Sequence, residues 1–156
     1  QEHSGKKLEY FEQATTERFV PFIVETSAGA DRVALTVMVD AYREEQVEGE
    51  MRVVLGFDPK IAPIKAAVFP LINKDRMPET ATALFNDLRN HFSCSYDDGG
   101  AIGRRYRRMD EVGTPFCITV DGQTAEDHQV TVRHRDSMLQ ERISINAVAA
   151  FLRERL

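Results

Sequence analysis

The chain has 156 residues, 42% of them apolar and 29% charged, and a formal net charge of −5. This is ordinary for one or two small globular domains, and no apolar run approaches the roughly 20 residues that cross a bilayer, so no membrane partner is expected. An acidic chain is not a non-specific DNA binder. Any nucleic-acid contact has to come from a local basic patch.

From the N-terminus, QEHSGKK is basic but leads into no apolar segment, so it does not read as a secretion signal. The absence of an initiating Met suggests a piece of a longer protein. Residues 8–11 (LEYF) and 18–24 (RFVPFIV) are rich in aromatic and branched side chains and read as strands, the second at an edge or bulged at Pro21. After ETSAGADR comes a predicted helix of about 16 residues. Val33, Ala34, Leu35, Val37, Met38, Val39, Ala41 and Tyr42 make it apolar on most sides, with a polar stripe of Thr36, Asp40, Arg43 and Glu44. Such a helix needs burial. The short strands before it cannot cover it, so its packing partners are expected outside this sequence. Residues 43–60 are charged and interrupted by Gly49, Gly56 and Pro59, and read as a connector with a short strand near MRVVL.

From Ile61 the pattern changes. KAAVFPLI (65–72) is a buried strand. Met77, Ala81, Leu84, Phe85, Leu88 and Phe92 form the apolar stripe of a helix that opens at Pro78. CSYDD, PFCITVD, QVTVRHRD and MLQERISI are further strands. GGAIGRRYRRMDEVG is a helix stopped by Gly113 and Pro115, and Asn146 caps a last one. The order β-α-β-α-β-β-β-α predicts an α/β domain with a mixed five-stranded sheet and three helices, parallel in its first half and antiparallel after the polar turn GQTAEDH. The expected division is 1–50 as the end of one domain, 51–60 as linker and 61–156 as a second domain.

The charge pattern concentrates in Tyr96–Asp121, where Arg104, Arg105, Arg107 and Arg108 fall within five positions, followed by Asp110 and Glu111. On a helical wheel Ile102, Tyr106, Met109 and Val112 share the side facing the sheet. Arg104, Arg107, Arg108 and Glu111 share the opposite side, with Arg105 and Asp110 on the flanks. Guanidinium forks suit phosphates and base edges, and a carboxylate accepts from an exocyclic amine such as that of cytosine. The same pattern also describes a solvated face with i,i+4 pairs such as Arg107 with Glu111. Asp97-Asp98-Gly99-Gly100 stands where a strand gives way to a helix. Its glycines suit either a close approach to phosphate or a turn. In Glu25-Thr26-Ser27-Ala28-Gly29-Ala30-Asp31-Arg32, a carboxylate and a hydroxyl could hold an ammonium group. Arg32 opposes the helix dipole there, which suits an anionic ligand, though the spacing describes an ordinary helix start equally well. His3, His91, His128 and His134 have no metal-ligand spacing, and no metal is expected. Cys94 and Cys117, 23 positions apart without a CxxC motif, read as core thiols of a reducing compartment.

SGKKLEYF, PFIVETSAGADR, APIKAAVFPLINKD, SYDDGGAIGRRYRRMDEVGTPFCITVD and VTVRHRDSMLQERISI together resemble the C-terminal part of the dimeric, class II glycyl-tRNA synthetase family. The resemblance implies that residues 1–50 end a catalytic domain and that 61–156 are an anticodon-binding domain. It makes ETSAGADR class II motif 3. Glu25, Thr26, Ser27, Ala28 and Gly29 would bind glycine, and Gly29, Ala30, Asp31 and Arg32 would bind ATP. Arg104, Arg105, Arg108, Asp110 and Glu111 would read the anticodon of tRNA-Gly. It further implies a cytoplasmic, homodimeric full-length ligase using ATP with Mg²⁺. Motifs 1 and 2 are absent from these residues, so this chain alone is expected not to form glycyl-adenylate. The competing reading is a non-catalytic accessory protein that keeps a synthetase-like anticodon domain. The presence of Glu25, Ser27 and Arg32 favours the enzyme. A third is another class II synthetase with the same anticodon-domain fold.

Overall fold

The computed structural model describes residues 2–156 and divides into two units, Gln1–Val33 and Ala34–Leu156. The first contains a small antiparallel hairpin of β1 (Tyr10–Glu12) and β2 (Glu17–Phe19), in which Tyr10 faces Phe19 edge to face at 5.8 Å. Residues 20–29 have no regular structure, and Phe22, Ile23 and Val24 are almost fully exposed. The strand expected over 18–24 therefore stops at Phe19: beyond it, no described residue of this unit supplies the ladder a strand requires.

Helix α1 (Ala30–Ala41) is shorter than predicted. Only Ala41 is buried. Val37 is half-buried, and these two pack with Phe57, Ala62 and Leu55. Leu35, Met38 and Val39 are exposed. The burial that its all-round apolar surface demands is thus not met by these residues, and the helix expected to be buried is exposed here.

The predicted connector is more ordered than its composition suggests. Strands β3 (Tyr42–Val47) and β4 (Glu50–Leu55) pair antiparallel across a two-residue turn at Glu48 and Gly49, both with positive φ. That turn matches the twist of a hairpin. On β4, Arg52 and Val54 point inward together.

The main sheet has the order β6-β5-β7-β8-β9, with β5 (Ala66–Pro70) parallel to β6 (Cys94–Tyr96) and β7 (Phe116–Val120), and β8 (Gln129–His134) and β9 (Gln140–Ser144) antiparallel. This is the mixed five-stranded sheet expected. Strand alternation divides it into two unlike faces. Ala66, Val68, Phe116, Ile118, Val120, Val130 and Val132 point to one side. There α2 (Met77–Leu88) contributes Met77, Ala81, Leu84 and Leu88, and α5 (Val148–Arg155) contributes Val148, Phe151 and Leu152. The other side presents Ala67, Phe69 and Cys117, covered by α3 (Ile102–Val112) through Met109, Ile102 and Tyr106. The polar turn GQTAEDH contains a short helix, α4 (Thr124–Asp127). The last helix begins with a 3₁₀ turn, Ile145–Ala147, so Asn146 lies inside that turn rather than at a cap.

Gly113 joins these parts. It closes α3 with φ of 85°, its N–H bonded to the carbonyls of Met109 and Asp110. A Cβ there would lie 2.5 Å from the Phe57 ring and 2.7 Å from the Leu55 carbonyl oxygen. Gly113→Ala is therefore expected to lose about 1–3 kcal/mol from left-handed strain and overpacking, read as a fall in Tm, with the far-ultraviolet spectrum of the folded chain retained.

Candidate functional site

Helix α3 holds the arginine cluster, and its buried stripe runs Ile102, Arg105, Tyr106, Met109, Asp110 and Gly113. This is the i, i+3, i+4, i+7, i+8 spacing of a packed face, with two charged residues inside it. Arg105 is 3% exposed. It donates to the Pro70 carbonyl through Nη1, and to the Gly100 carbonyl through Nε at 3.2 Å and Nη2 at 2.7 Å. These bonds bind the start of α3 to the end of β5. Tyr106 lies against Phe69 and donates to or accepts from Thr119 Oγ1 at 2.7 Å, with the Arg133 guanidinium 4.9 Å from its ring centroid.

Asp110 is completely buried. Arg52 Nε donates to its Oδ2 at 2.9 Å; Arg133 donates to Oδ1 at 2.9 Å and to Oδ2 at 3.1 Å. The remaining nitrogens of Arg52 donate to Glu45 Oε2 at 2.7 Å and to the Arg135 carbonyl at 2.5 Å. Arg135 in turn donates to the carbonyls of Gly113 and Phe57 and to the Asp136 carboxylate. The sequence reading placed Asp110 with Arg108 on a ligand-reading surface. The structure places it on the inner side, because hairpin β3–β4 packs on that flank of α3 and brings Arg52 to it. Val112, on the other flank, is 37% exposed.

The outward face carries Arg104, Arg107, Arg108 and Glu111. Arg104 and Arg107 have no ion-pair partner among the described residues, so the Arg107–Glu111 pair of the solvated-face reading does not form. Arg108 is held from the strand–helix loop. Its Nε and Nη2 donate to Asp97 Oδ2 at 2.9 and 2.5 Å, and Nη2 also donates to the Gly99 carbonyl at 2.7 Å. Asp97 Oδ1 accepts from the Gly99 N–H at 2.9 Å. Burial pushes the Asp97 carboxyl up, but the Gly99 N–H and the Arg108 guanidinium outweigh it and hold it below the usual carboxylate range. The Asp97–Gly100 segment thus serves as an anchor for Arg108 in this structure, with Gly100 at φ of 76° making the turn. Beside it, Leu71 and Ile72 are part-exposed, and the Asn73 amide donates to the Asp98 carbonyl at 3.3 Å.

Glu25, Thr26, Ser27, Ala28, Gly29, Ala30, Asp31 and Arg32 are all exposed, the first five on the irregular segment and the last three in the opening turn of α1. They are contiguous in sequence without being enclosed. No group of three or more His, Cys, Asp or Glu positioned to hold a metal occurs among the described residues. Both cysteines are free thiols; burial pushes Cys94 up to about 11 and Cys117 up to about 12. Neither is a reactive thiolate at neutral pH. No helix of the described residues is long and apolar enough to cross a membrane. Sequence reasoning missed Arg52, Arg133 and Arg135. The local pattern does not mark them: on β8 the alternation sets Arg133 with Thr131, on the face away from Val130 and Val132.

Residues 65–155 match the family described as the anticodon binding domain. The glycine–tRNA ligase of Chlorobaculum tepidum is 52% identical over 156 residues, covering 100% of this chain and 33% of that protein. That of Thermobifida fusca is 52% identical over 158 residues, covering 98% and 34%. That of Caldanaerobacter subterraneus is 51% identical over 155 residues, covering 99% and 33%. The chain spans about one third of the length of these relatives. Among solved structures, the RNA binding domain of threonyl-tRNA synthetase from Cryptosporidium parvum shares the fold, with a TM-score of 0.54 at 22% identity over 60% of this chain and 24% of that one.

Two expectations follow from the charges. Asp110→Ala leaves Arg52 and Arg133 buried without their shared carboxylate and is expected to cost about 3–5 kcal/mol, measured by denaturant unfolding. Asp97 and Asp121 are both held below the usual carboxylate range. At Asp121, burial is outweighed by Arg142 and the Thr124 N–H. Because these folded values lie below the unfolded one, their stabilisation is present above about pH 4 and disappears as pH falls through the folded values. Tm is expected to drop below about pH 4, and Asp97→Asn to make that drop shallower.

Proposed function

The chain belongs to the anticodon binding domain family, and from that membership we propose that it reads the anticodon of tRNA-Gly as part of a homodimeric glycine–tRNA ligase. The carrying observation is the outward face of α3, where Arg104 and Arg107 have no ion-pair partner among the described residues and Arg108 is held by Asp97 in a chain of net charge −5. Arg104 and Arg107 contact phosphate, Arg108 reads a base edge, and Glu111 accepts from the exocyclic amine of a cytosine. Arg105 and Asp110 serve this face from beneath, as anchors of the helix. The 49–52% identity of glycine–tRNA ligases from several bacteria along this chain supports glycine over another amino acid.

In the whole ligase, glycine is joined to the α-phosphate of ATP and then passed to the terminal ribose of tRNA. The donor chemistry of residues 25–32 fits a share in that site. The Glu25 carboxylate and Ser27 hydroxyl suit the ammonium of glycine, beside Thr26 and Ala28. Arg32 suits a nucleotide phosphate, with Gly29, Ala30 and Asp31 shaping its approach. Bound Mg²⁺ would neutralise phosphate charge; the described residues offer it no ligand cluster. Because motifs 1 and 2 are absent from these residues and the segment is open, the 156-residue chain alone is expected to show no ATP–pyrophosphate exchange, and detection of exchange would refute that expectation of inactivity.

Binding is tested with an anticodon stem-loop RNA carrying two anticodon cytosines and a copy with both replaced by uridine. Arg108→Ala is expected to lose about 1–3 kcal/mol of discrimination between them. Arg104→Ala is expected to weaken both alike and to reduce the salt slope by about 1. Equal binding of both RNAs by the wild-type chain would overturn the anticodon reading.

A further inference from the structure

The helix that presents the arginines has little apolar hold on the sheet. The α3 side has four buried hydrophobic residues, Ala67, Phe69, Met109 and Cys117, against fourteen on the opposite side. Only Met109 of these belongs to the helix itself, with Ile102 and Tyr106 packed partly buried beside it. Apolar contacts so few are non-directional and leave rotation about the helix axis weakly determined. Directional bonds supply what they lack. At the start of α3, Arg105 ties it to the Pro70 and Gly100 carbonyls. At the end, the Asp110 carboxylate accepts three N–H bonds, one from Arg52 on β4 and two from Arg133 on β8.

Arg52 is completely buried on a strand outside the main sheet, and each of its nitrogens is bonded to a different part of the molecule: Asp110, Glu45 and the Arg135 carbonyl. The Gly113 contact with Leu55 and Phe57 closes the same junction from the helix end. We propose that Asp110, held by Arg52 and Arg133, is a positioning residue for the RNA-reading face, and that hairpin β3–β4 and helix α3 consequently act as one rigid body. The proposal rests on the reading of α3 as the anticodon reader. Asp110 does not touch RNA. It sets the azimuth of the helix, and a turn of about 10° would carry an arginine head roughly 1 Å at the radius of a helix with its side chains. A base-edge contact does not tolerate such a displacement, whereas a phosphate contact does. The arrangement therefore governs discrimination more than affinity.

The test uses the full 156-residue chain and the two stem-loop RNAs above. Arg52→Gln, checked as folded by circular dichroism at the binding temperature, is expected to lower discrimination between them about 2- to 30-fold while the salt slope stays at its wild-type value. A merely structural role predicts the wild-type ratio once the variant is folded, and that result overturns the proposal. A second measurement needs no variant. On binding the cytosine RNA, wild-type amide exchange is expected to slow in β4 together with α3, and slowing confined to α3 overturns the rigid-body coupling. If the wild-type chain does not distinguish the two RNAs, the anticodon reading falls and the positioning role with it. If it does and folded Arg52→Gln does equally, only the positioning role falls.

Discussion

A single carboxylate, that of Asp110, lies in the interior with two guanidiniums on it, and the arrangement of the larger unit follows from satisfying it. Isolated in the interior, any of these three charges would be costly. Together, with Glu45, the Arg135 carbonyl and the Asp136 carboxylate completing the set, each finds charge-assisted partners. Such a cluster adds less net stability than apolar residues of the same size would, but it is intolerant of partial occupancy. That intolerance determines geometry: β4 has to lie where Arg52 reaches Asp110, and β8 has to present Arg133 on the same side.

The two faces of the sheet are consequently built on different physics. One is an ordinary apolar core under α2 and α5. The other is thin in hydrocarbon and rich in oriented polar groups, among them Thr119, Arg133 and Asp110. The α3 surface opposite this polar side is where arginines remain for a ligand. Buried Arg52, Arg133 and Arg135 are paired with acids and Arg105 with backbone carbonyls, while exposed Arg104 and half-buried Arg107 have no ion-pair partner among the described residues. This is how an acidic chain presents a cationic surface.

Asp97 extends the same logic to the surface. An arginine free in solvent loses rotamer freedom when it binds, and Arg108 has already lost much of it to Asp97 and the Gly99 carbonyl. A guanidinium held in this way presents its remaining donors in a defined direction, which suits base edges better than phosphates. Residues 25–32, by contrast, are exposed along their whole length and are not enclosed.

Composition and period were sufficient for much of the larger unit. The apolar runs and their spacing located β5 to β9, α2 and α3, and the order of elements dictated a mixed sheet, because these signals are local. The wheel of α3 correctly turned Ile102, Tyr106 and Met109 inward and Arg104, Arg107 and Arg108 outward, but Val112, which it set on the inner side, is exposed. It left Arg105 and Asp110 undecided on the flanks, since a charged residue at a flank is buried only if a partner from elsewhere meets it. Arg52 is 58 positions from Asp110 in sequence, and no local pattern connects them. The hairpin at Glu48-Gly49 was similarly obscured, because its charged strands owe their order to that same long-range bond. The helix Ala30–Ala41 shows the opposite case: its apolar surface announces a need for cover, and whether that need is met depends on packing that a linear pattern does not contain.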